Sequence, residues 1–394
     1  MQKDTQIQTQ ADDGFQEKKV FVIVAGHFIH DSYSAFLAPL LPLLIEKLSL
    51  TLTMAGSLSA FMQAPALLNP IIGRLADKSS VRYFVVAAPA VTGTLMSVMG
   101  VAPNYYALAI LLVITGVSVS AFHAPAPAMV ARASGKRVGK AMGWFMAGGE
   151  LGRTLGPIIA VWAATTWTLE GMARMAIIGW IASFILYWRL KDIPVQKKKE
   201  DTERNLLPKM WAVFLPLGII ILFRAFMTVS MTTYLPTFMN MKGANLWLAG
   251  AALSIMESAG VAGALLSGAI SDRIGRKSVF LIASITAPLF MLAFLNVRGW
   301  LLVPVLLLLG FTSLSVGPVI LALVQDHFPD DRAAANGFFM LLSLLARSLG
   351  ALVVGFAGDQ FGLDKVFLWS ALIAFLVLPG VFMLPEEGQM ELSS

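Results

Sequence analysis

Apolar stretches of about 20 residues or more recur along the whole chain, separated by short polar or turn-rich segments, and each is long enough to cross the hydrocarbon core of a bilayer as a helix. Twelve such helices are predicted, over about 20–45, 52–73, 83–102, 105–131, 139–164, 171–190, 210–239, 246–270, 278–296, 299–325, 333–357 and 364–384. The first 19 residues are polar. The apolar run that follows them is too long for a cleavable signal and lacks a small-residue cleavage site, so the first span is expected to stay in the mature protein. The longest polar stretch, Lys191 to Lys209, falls at the midpoint and reads as a solvated linker near anionic headgroups. The expected organisation is a tail (1–19), a six-helix bundle (20–190), a linker (191–209), a second six-helix bundle (210–385) and a tail (386–394).

Composition agrees with this pattern. Only 13% of residues are charged and 57% are hydrophobic, where soluble domains carry about a quarter charged residues. Twelve crossings in 394 residues leave no room for a soluble domain, which excludes most soluble enzyme folds and a P-loop pump on one chain. The GxxxxGK[ST], GxSxG and HExxH signatures are absent, as is GxGxxG in its strand context. With no cysteine there is no disulfide, thiolate metal site or cysteine nucleophile. No enzyme activity, cofactor or metal is expected.

The net charge of +6 changes the picture through its placement. Of 29 Lys and Arg, 21 lie in the amino-terminal tail and the even-numbered connections, five in the odd-numbered ones, and Arg153, Arg224 and Arg347 within spans. The positive-inside rule then places both termini in the cytoplasm, which requires an even number of spans. Nucleic acid is not an expected partner.

The two halves also repeat. Met142-Gly-Trp-Phe-Met146 returns as Asn336-Gly-Phe-Phe-Met340, and Arg153-Thr-Leu-Gly156 returns as Arg347-Ser-Leu-Gly350, both displaced by 194. Gly73-Arg-Leu-Ala-Asp77 returns as Gly268-Ala-Ile-Ser-Asp272 with one residue inserted. Parallel six-helix repeats are a transporter architecture in which the halves rock about a central site.

The second of those elements, Gly268-Ala-Ile-Ser-Asp272-Arg273-Ile-Gly275-Arg276-Lys277, resembles the signature between spans 8 and 9 of the major facilitator superfamily. The first copy (Gly73, Asp77, Lys78, Arg82) departs from it, with Ser80 for the second glycine and Val81 for the first following arginine. The resemblance implies a cytoplasmic gate in which the Asp and neighbouring cations lock the ends of two bundles. Gly143, Gly152, Gly156 and Pro157 resemble the antiporter signature of drug-efflux members in span 5, although Ala160-Val161 replaces its trailing glycine pair and span 4 lacks the arginine such proteins often carry. Small residues at this spacing let one helix press on another, and Pro157 frees a carbonyl and permits a bend.

Gly26-His27-Phe28-Ile-His30-Asp31 with Leu40-Leu-Pro42-Leu-Leu44, Phe122-His123-Ala-Pro125, and Gly148-Gly149…Gly152…Leu155-Gly156-Pro157 are similar to the fosmidomycin-resistance family of bacterial major facilitator exporters. The resemblance implies an all-α membrane protein of twelve transmembrane helices in two pseudo-symmetric six-helix bundles, acting as a monomer in the bacterial inner membrane. Its implied activity is secondary active transport, a proton-coupled antiport that exports a small amphipathic or anionic drug-like molecule by alternating access. Proton-coupled import or exchange of a small organic anion is the alternative.

A charge at mid-bilayer costs about 3 kcal/mol on insertion scales, so buried ionisable residues mark a site. The candidates for substrate binding or proton coupling are His30, Asp31, His123, Glu150, Arg153, Arg224, Glu257 and Arg347, with His27 read as helix packing rather than site. At 1.5 Å per residue, Arg153 and Glu257 sit near mid-membrane, and an ion pair between them is expected, with Glu150 competing from the same helical face. By the repeat, Arg347 is the counterpart of Arg153, Glu257 of Gln63 and Arg224 of His30. Asp31 or Glu257, with Glu150 third, is expected to carry the proton, with His30 and His123 as relays. Static ion pairs between the halves, snorkelling of Arg224 and simple hydrogen bonding of His123 are the structural alternatives.

Overall fold

A computed structural model describes residues 14–69, 72, 81–190, 207–328 and 332–384 of the chain. The first gate copy, with Gly73, Asp77 and Lys78, and most of the central linker lie outside the described residues, as does the side chain of Arg82.

Ten described segments are long and apolar enough to span a bilayer. One of them, Val138–Leu190, holds two crossings, because the helix turns at Thr168, whose φ of 66° is left-handed, and at the short 3-10 turn Met172–Met175. A shorter apolar helix, Leu52–Leu68, supplies the twelfth crossing. The spans are α1 (Glu17–Leu48), α2 (Leu52–Leu68), α3 (Tyr83–Val101), α4 (Tyr105–Ala133), α5 (Val138–Gly171), α6 (Ala176–Leu190), α7 (Val213–Met241), α8 (Leu246–Ile274), α9 (Arg276–Asn296), α10 (Gly299–His327), α11 (Ala335–Phe361) and α12 (Leu363–Met383). They form the expected all-helical, twelve-span architecture. Large apolar side chains such as Phe184, Trp180 and Leu265 remain exposed on the outside, where lipid replaces water as solvent.

Helix ends carry their own signals. Thr51, Asn104 and Asn245 cap α2, α4 and α8 by accepting from the backbone N–H three residues on, and such caps satisfy donors that a helix start otherwise leaves open. Gly275 adopts φ 88° between α8 and α9, a conformation that favours glycine.

The distribution of buried apolar residues shows how the halves meet. At one end a single core runs through both halves, joining Leu40, Leu44 and Leu58 to Tyr234, Leu253 and Val354. At the other end the core divides in two. One part, around Val85, Phe122 and Phe145, belongs to α1–α6, and the other, around Phe214, Phe280 and Val319, to α7–α12. The halves are thus sealed together at the end that holds Thr51 and Gly362 and separate towards the end that holds Arg137 and Gly275.

The seal is also polar. Asp359, near the end of α11, accepts from the backbone N–H groups of Leu52 (2.7 Å) and Thr53 (2.8 Å) and from the Thr53 hydroxyl (2.6 Å). Tyr234 donates to the carbonyls of Leu52 (3.0 Å) and Ala351 (2.8 Å). Tyr234 ends a π-helical turn, Ser230–Tyr234, within α7. Such turns recur at functional sites because they re-aim side chains that a regular helix would hold elsewhere.

Candidate functional site

Between the halves, below the seal, lies a cavity of about 390 Å³. The first half contributes Asp31, Gln63, His123, Arg153 and Pro157, and the second Thr232, Thr233, Glu257 and Arg347. Two of the three repeat-related pairs therefore face it, Arg153 with Arg347 and Gln63 with Glu257. The third pair does not. His30 is fully buried and stacks on Phe122 at 4.4 Å between ring centroids. Arg224 turns away from the cavity and donates to the carbonyl of Ser313 on α10.

The expected Arg153–Glu257 ion pair does not form. Arg153 takes Glu150, one helical turn back on α5. Neighbours at this spacing share a helix face whatever the two bundles do, whereas a partner on α8 depends on how the bundles dock. Arg153 still opens on the cavity, with 47% of its side chain exposed. Glu257 remains within electrostatic range of both Arg153 and Glu150. It makes no hydrogen bond or ion pair among the described residues. Arg347 likewise has no acidic partner among them and lies within electrostatic range of Arg153. The cavity thus sets a guanidinium from each half against the other, with one unpaired carboxylate beside them.

Asp31 is held differently. One carboxylate oxygen lies 3.1 Å from His123 Nε2 and the other 3.3 Å from His27 Nε2. His27 and Asp31 share a face at i, i+4 on α1, and His123 arrives from α4. The His27 ring is fixed from behind, with Nδ1 2.8 Å from the Phe145 carbonyl oxygen and the ring stacked on Phe145 at 4.0 Å.

The glycines of α5 explain how α1 comes so close. A Cβ at Gly148 would lie 2.8 Å from the Val24 carbonyl oxygen, at Gly152 2.5 Å from that of Phe28, and at Gly156 2.6 Å from that of Ser32. A Cβ at Gly149 would overlap the His27 ring. Gly143 meets nothing within 4 Å, being out of phase with this face. Pro157, within α5, lacks the N–H that would bond the carbonyl of Arg153, so a backbone acceptor is left free at cavity depth.

At the open end the second gate copy pairs with described residues of its own half. Arg276 bonds Asp272 (2.6 Å) and Asp326 (3.3 Å) and also reaches Ser271, which ties α8, α9 and α10 together. Gly268 meets nothing within 4 Å, and Arg273 and Asp272 are exposed. His27, Gly148, Gly149 and the π turn are the site features that sequence reasoning left without a role. The i, i+4 spacing of His27 and Asp31 is the signal that could have found the first of them.

Fold and cavity together define a membrane transporter built of two halves around a central cavity. The Major Facilitator Superfamily profile matches residues 23–351 and again 250–392, and the chain belongs to that superfamily. It is 26% identical over 379 residues to the fosmidomycin resistance protein of Escherichia coli (strain K12), covering 93% of this chain and 92% of that one. It is 23% identical over 381 residues to the multidrug resistance protein MdtG of Proteus mirabilis (strain HI4320), covering 92% and 94%. Among solved structures, a bacterial homolog of the human lysosomal transporter Spinster, in an inward-facing and occupied conformation, has the same fold, with a TM-score of 0.80 and 14% identity over 93% of this chain and 96% of that one.

Proposed function

We propose that this chain is a proton-coupled antiporter of the bacterial inner membrane that exports a small molecule bearing an anionic head and a hydrogen-bond donor. The observation that carries this reading is two guanidiniums at one cavity, Arg347 without an acidic partner among the described residues and Arg153 paired only with Glu150 on its own helix, beside Glu257, which has no partner among those residues. Like charges facing across a cavity repel, and an anion between them turns that repulsion into a bridge, so cargo binding favours closure of the halves around it. A phosphonate or carboxylate head suits two guanidiniums, each of which offers several donors in a planar fork. The relative named for fosmidomycin resistance makes a phosphonate the first compound to try.

Coupling follows from competition at one atom. A carboxylate at Glu257 accepts the cargo's donor group, and a protonated Glu257 gives up that acceptor, so proton and cargo exclude each other as antiport requires. Of the three candidate carboxylates, Asp31 is engaged by two histidines and Glu150 by Arg153, which leaves Glu257 free to exchange. With the 21 cations of the tail and even-numbered connections placed inside by the positive-inside rule, the open end faces the cytoplasm, from which cargo is loaded. A cargo without a donor group would bind best to protonated Glu257 and travel with the proton, which is the import alternative.

The test is a susceptibility screen in a strain lacking its own pumps, expressing the chain or its Glu257→Gln form. Resistance to one anionic class that disappears with the substitution supports the proposal. Unchanged susceptibility to every compound, with the protein present in the membrane, refutes export.

A further inference from the structure

Four histidines occur in the chain, and three of them crowd around Asp31. His27 Nδ1 faces the Phe145 carbonyl oxygen at 2.8 Å. A carbonyl only accepts, so Nδ1 carries the hydrogen and Nε2 of the neutral ring presents a lone pair. That lone pair points at a carboxylate oxygen of Asp31, 3.3 Å away, and His27 Nε2 is left without a hydrogen-bond partner although the residue is 96% buried. Two acceptors aimed at each other in a buried site call for a positive charge between them.

The spacing distinguishes which charge. A charge-assisted N–H···O bond draws its heavy atoms to about 2.7–2.9 Å. Bonds of about 2.0–2.2 Å from a tetrahedral divalent metal to nitrogen and oxygen instead hold donor atoms about 3.3–3.5 Å apart. His27–Asp31 at 3.3 Å falls in the second range, and His123–Asp31, to the other carboxylate oxygen, lies between the two ranges at 3.1 Å. One donor atom from each of His27, Asp31 and His123 lies within 4.8 Å of the other two. Where a separation must shorten, His123 is placed to move, since 36% of its side chain is exposed on the cavity.

We infer that His27, Asp31 and His123 form a binding site for a divalent transition-metal cation in the wall of the transport cavity. The donor set, two imidazoles and one carboxylate, suits zinc and its neighbours. The Phe145 carbonyl behind His27 is the outer contact that fixes ring orientation and tautomer in such sites. Gly149 makes room for that ring, since any Cβ there would overlap it. Asp31 and His123 line the cavity, so the fourth coordination position faces it and is open to water or to an oxyanion. This departs from the expectation that the chain binds no metal; the absence of cysteine excludes only thiolate ligands. It does not depend on the direction of transport.

The experiment is calorimetric titration of tag-free full-length protein in detergent with Zn2+, repeated with Co2+, whose absorption reports tetrahedral coordination. One ion per chain is expected. His123→Gln, at the exposed ligand where folding is least at risk, is expected to weaken binding by about tenfold or more. His327→Gln, which alters a histidine bonded to the Leu323 carbonyl and remote from the site, is expected to leave binding unchanged. His27→Gln, with folding checked by thermal melting, provides a second ligand variant. Failure to bind one ion per chain, or binding that persists undiminished in His123→Gln, overturns the assignment.

Discussion

Asp359→Ala is expected to release the sealed end of the molecule. The carboxylate of Asp359 reaches across from α11 to the first two backbone N–H groups of α2 and to the Thr53 hydroxyl. Thr51 already serves Met54, so without Asp359 the N–H groups of Leu52 and Thr53 lose the acceptor that the sealed conformation supplies. Loss of a capping acceptor costs about 0.5–2 kcal/mol, and loss of a negative charge at a helix start about 0.3–1 kcal/mol. The contact is exposed, which favours the lower part of both ranges, and together they give about 1–2 kcal/mol. Because the contact exists only when the halves meet at this end, the whole amount bears on the balance between the two conformations. One or two kcal/mol corresponds to a shift of about 5- to 30-fold. The absence of native cysteine makes the assay clean. Thr233→Cys places a single thiol on the cavity wall, and a membrane-impermeant maleimide is applied from the sealed side. Asp359→Ala is expected to raise the labelling rate by that factor, and Asp359→Asn, which keeps one accepting oxygen without the charge, by less. An unchanged rate in a folded Asp359→Ala protein would refute the latch.

The glycine face of α5 predicts a sharp contrast within one helix. Gly152→Ala brings a Cβ to 2.5 Å from the Phe28 carbonyl oxygen and is expected to destabilise by about 1–3 kcal/mol, whereas Gly143→Ala, with nothing within 4 Å, is expected to leave the melting temperature in detergent unchanged. Equal effects of the two would argue against the packing described. The arginines predict a second contrast: Arg347→Gln, at the cavity, is expected to weaken binding of an anionic cargo at least tenfold, by loss of a charge-assisted contact of about 1.5–3 kcal/mol. Arg224→Gln is expected to alter thermal stability instead, because its guanidinium is committed to the Ser313 carbonyl.

Much of this was legible along the chain because membrane helices announce themselves by composition. Twelve apolar runs became twelve spans, and of the eight in-span candidates, five, Asp31, His123, Arg153, Glu257 and Arg347, line the cavity, whereas His30, Glu150 and Arg224 do not. What the residue string does not contain is helix rotation and the distance between bundles. Arg224 and Arg347 are both buried charges within spans, yet only Arg347 faces the cavity, since the azimuth of α7 is set by packing against α11 and α12. Arg153 takes Glu150 rather than Glu257 for the complementary reason: an i, i+3 contact survives any docking angle, and an interbundle pair does not. Gly143 and Gly152 read alike as small residues in one signature, and they differ only in which of them turns toward α1. For His27 the spacing to Asp31 was legible, but the contact that fixes its ring, the backbone carbonyl of Phe145, is one no side-chain pattern reveals.

The central claim, that proton and cargo exclude each other at Glu257, is tested most directly by the pH dependence of cargo affinity in purified protein, using the compound class identified by susceptibility. Raising the pH deprotonates Glu257 and supplies the acceptor that the cargo needs, so affinity is predicted to tighten with pH in the native chain and to lose that dependence in Glu257→Gln. Affinity that weakens as pH rises, or a pH dependence that survives the substitution, would contradict the account.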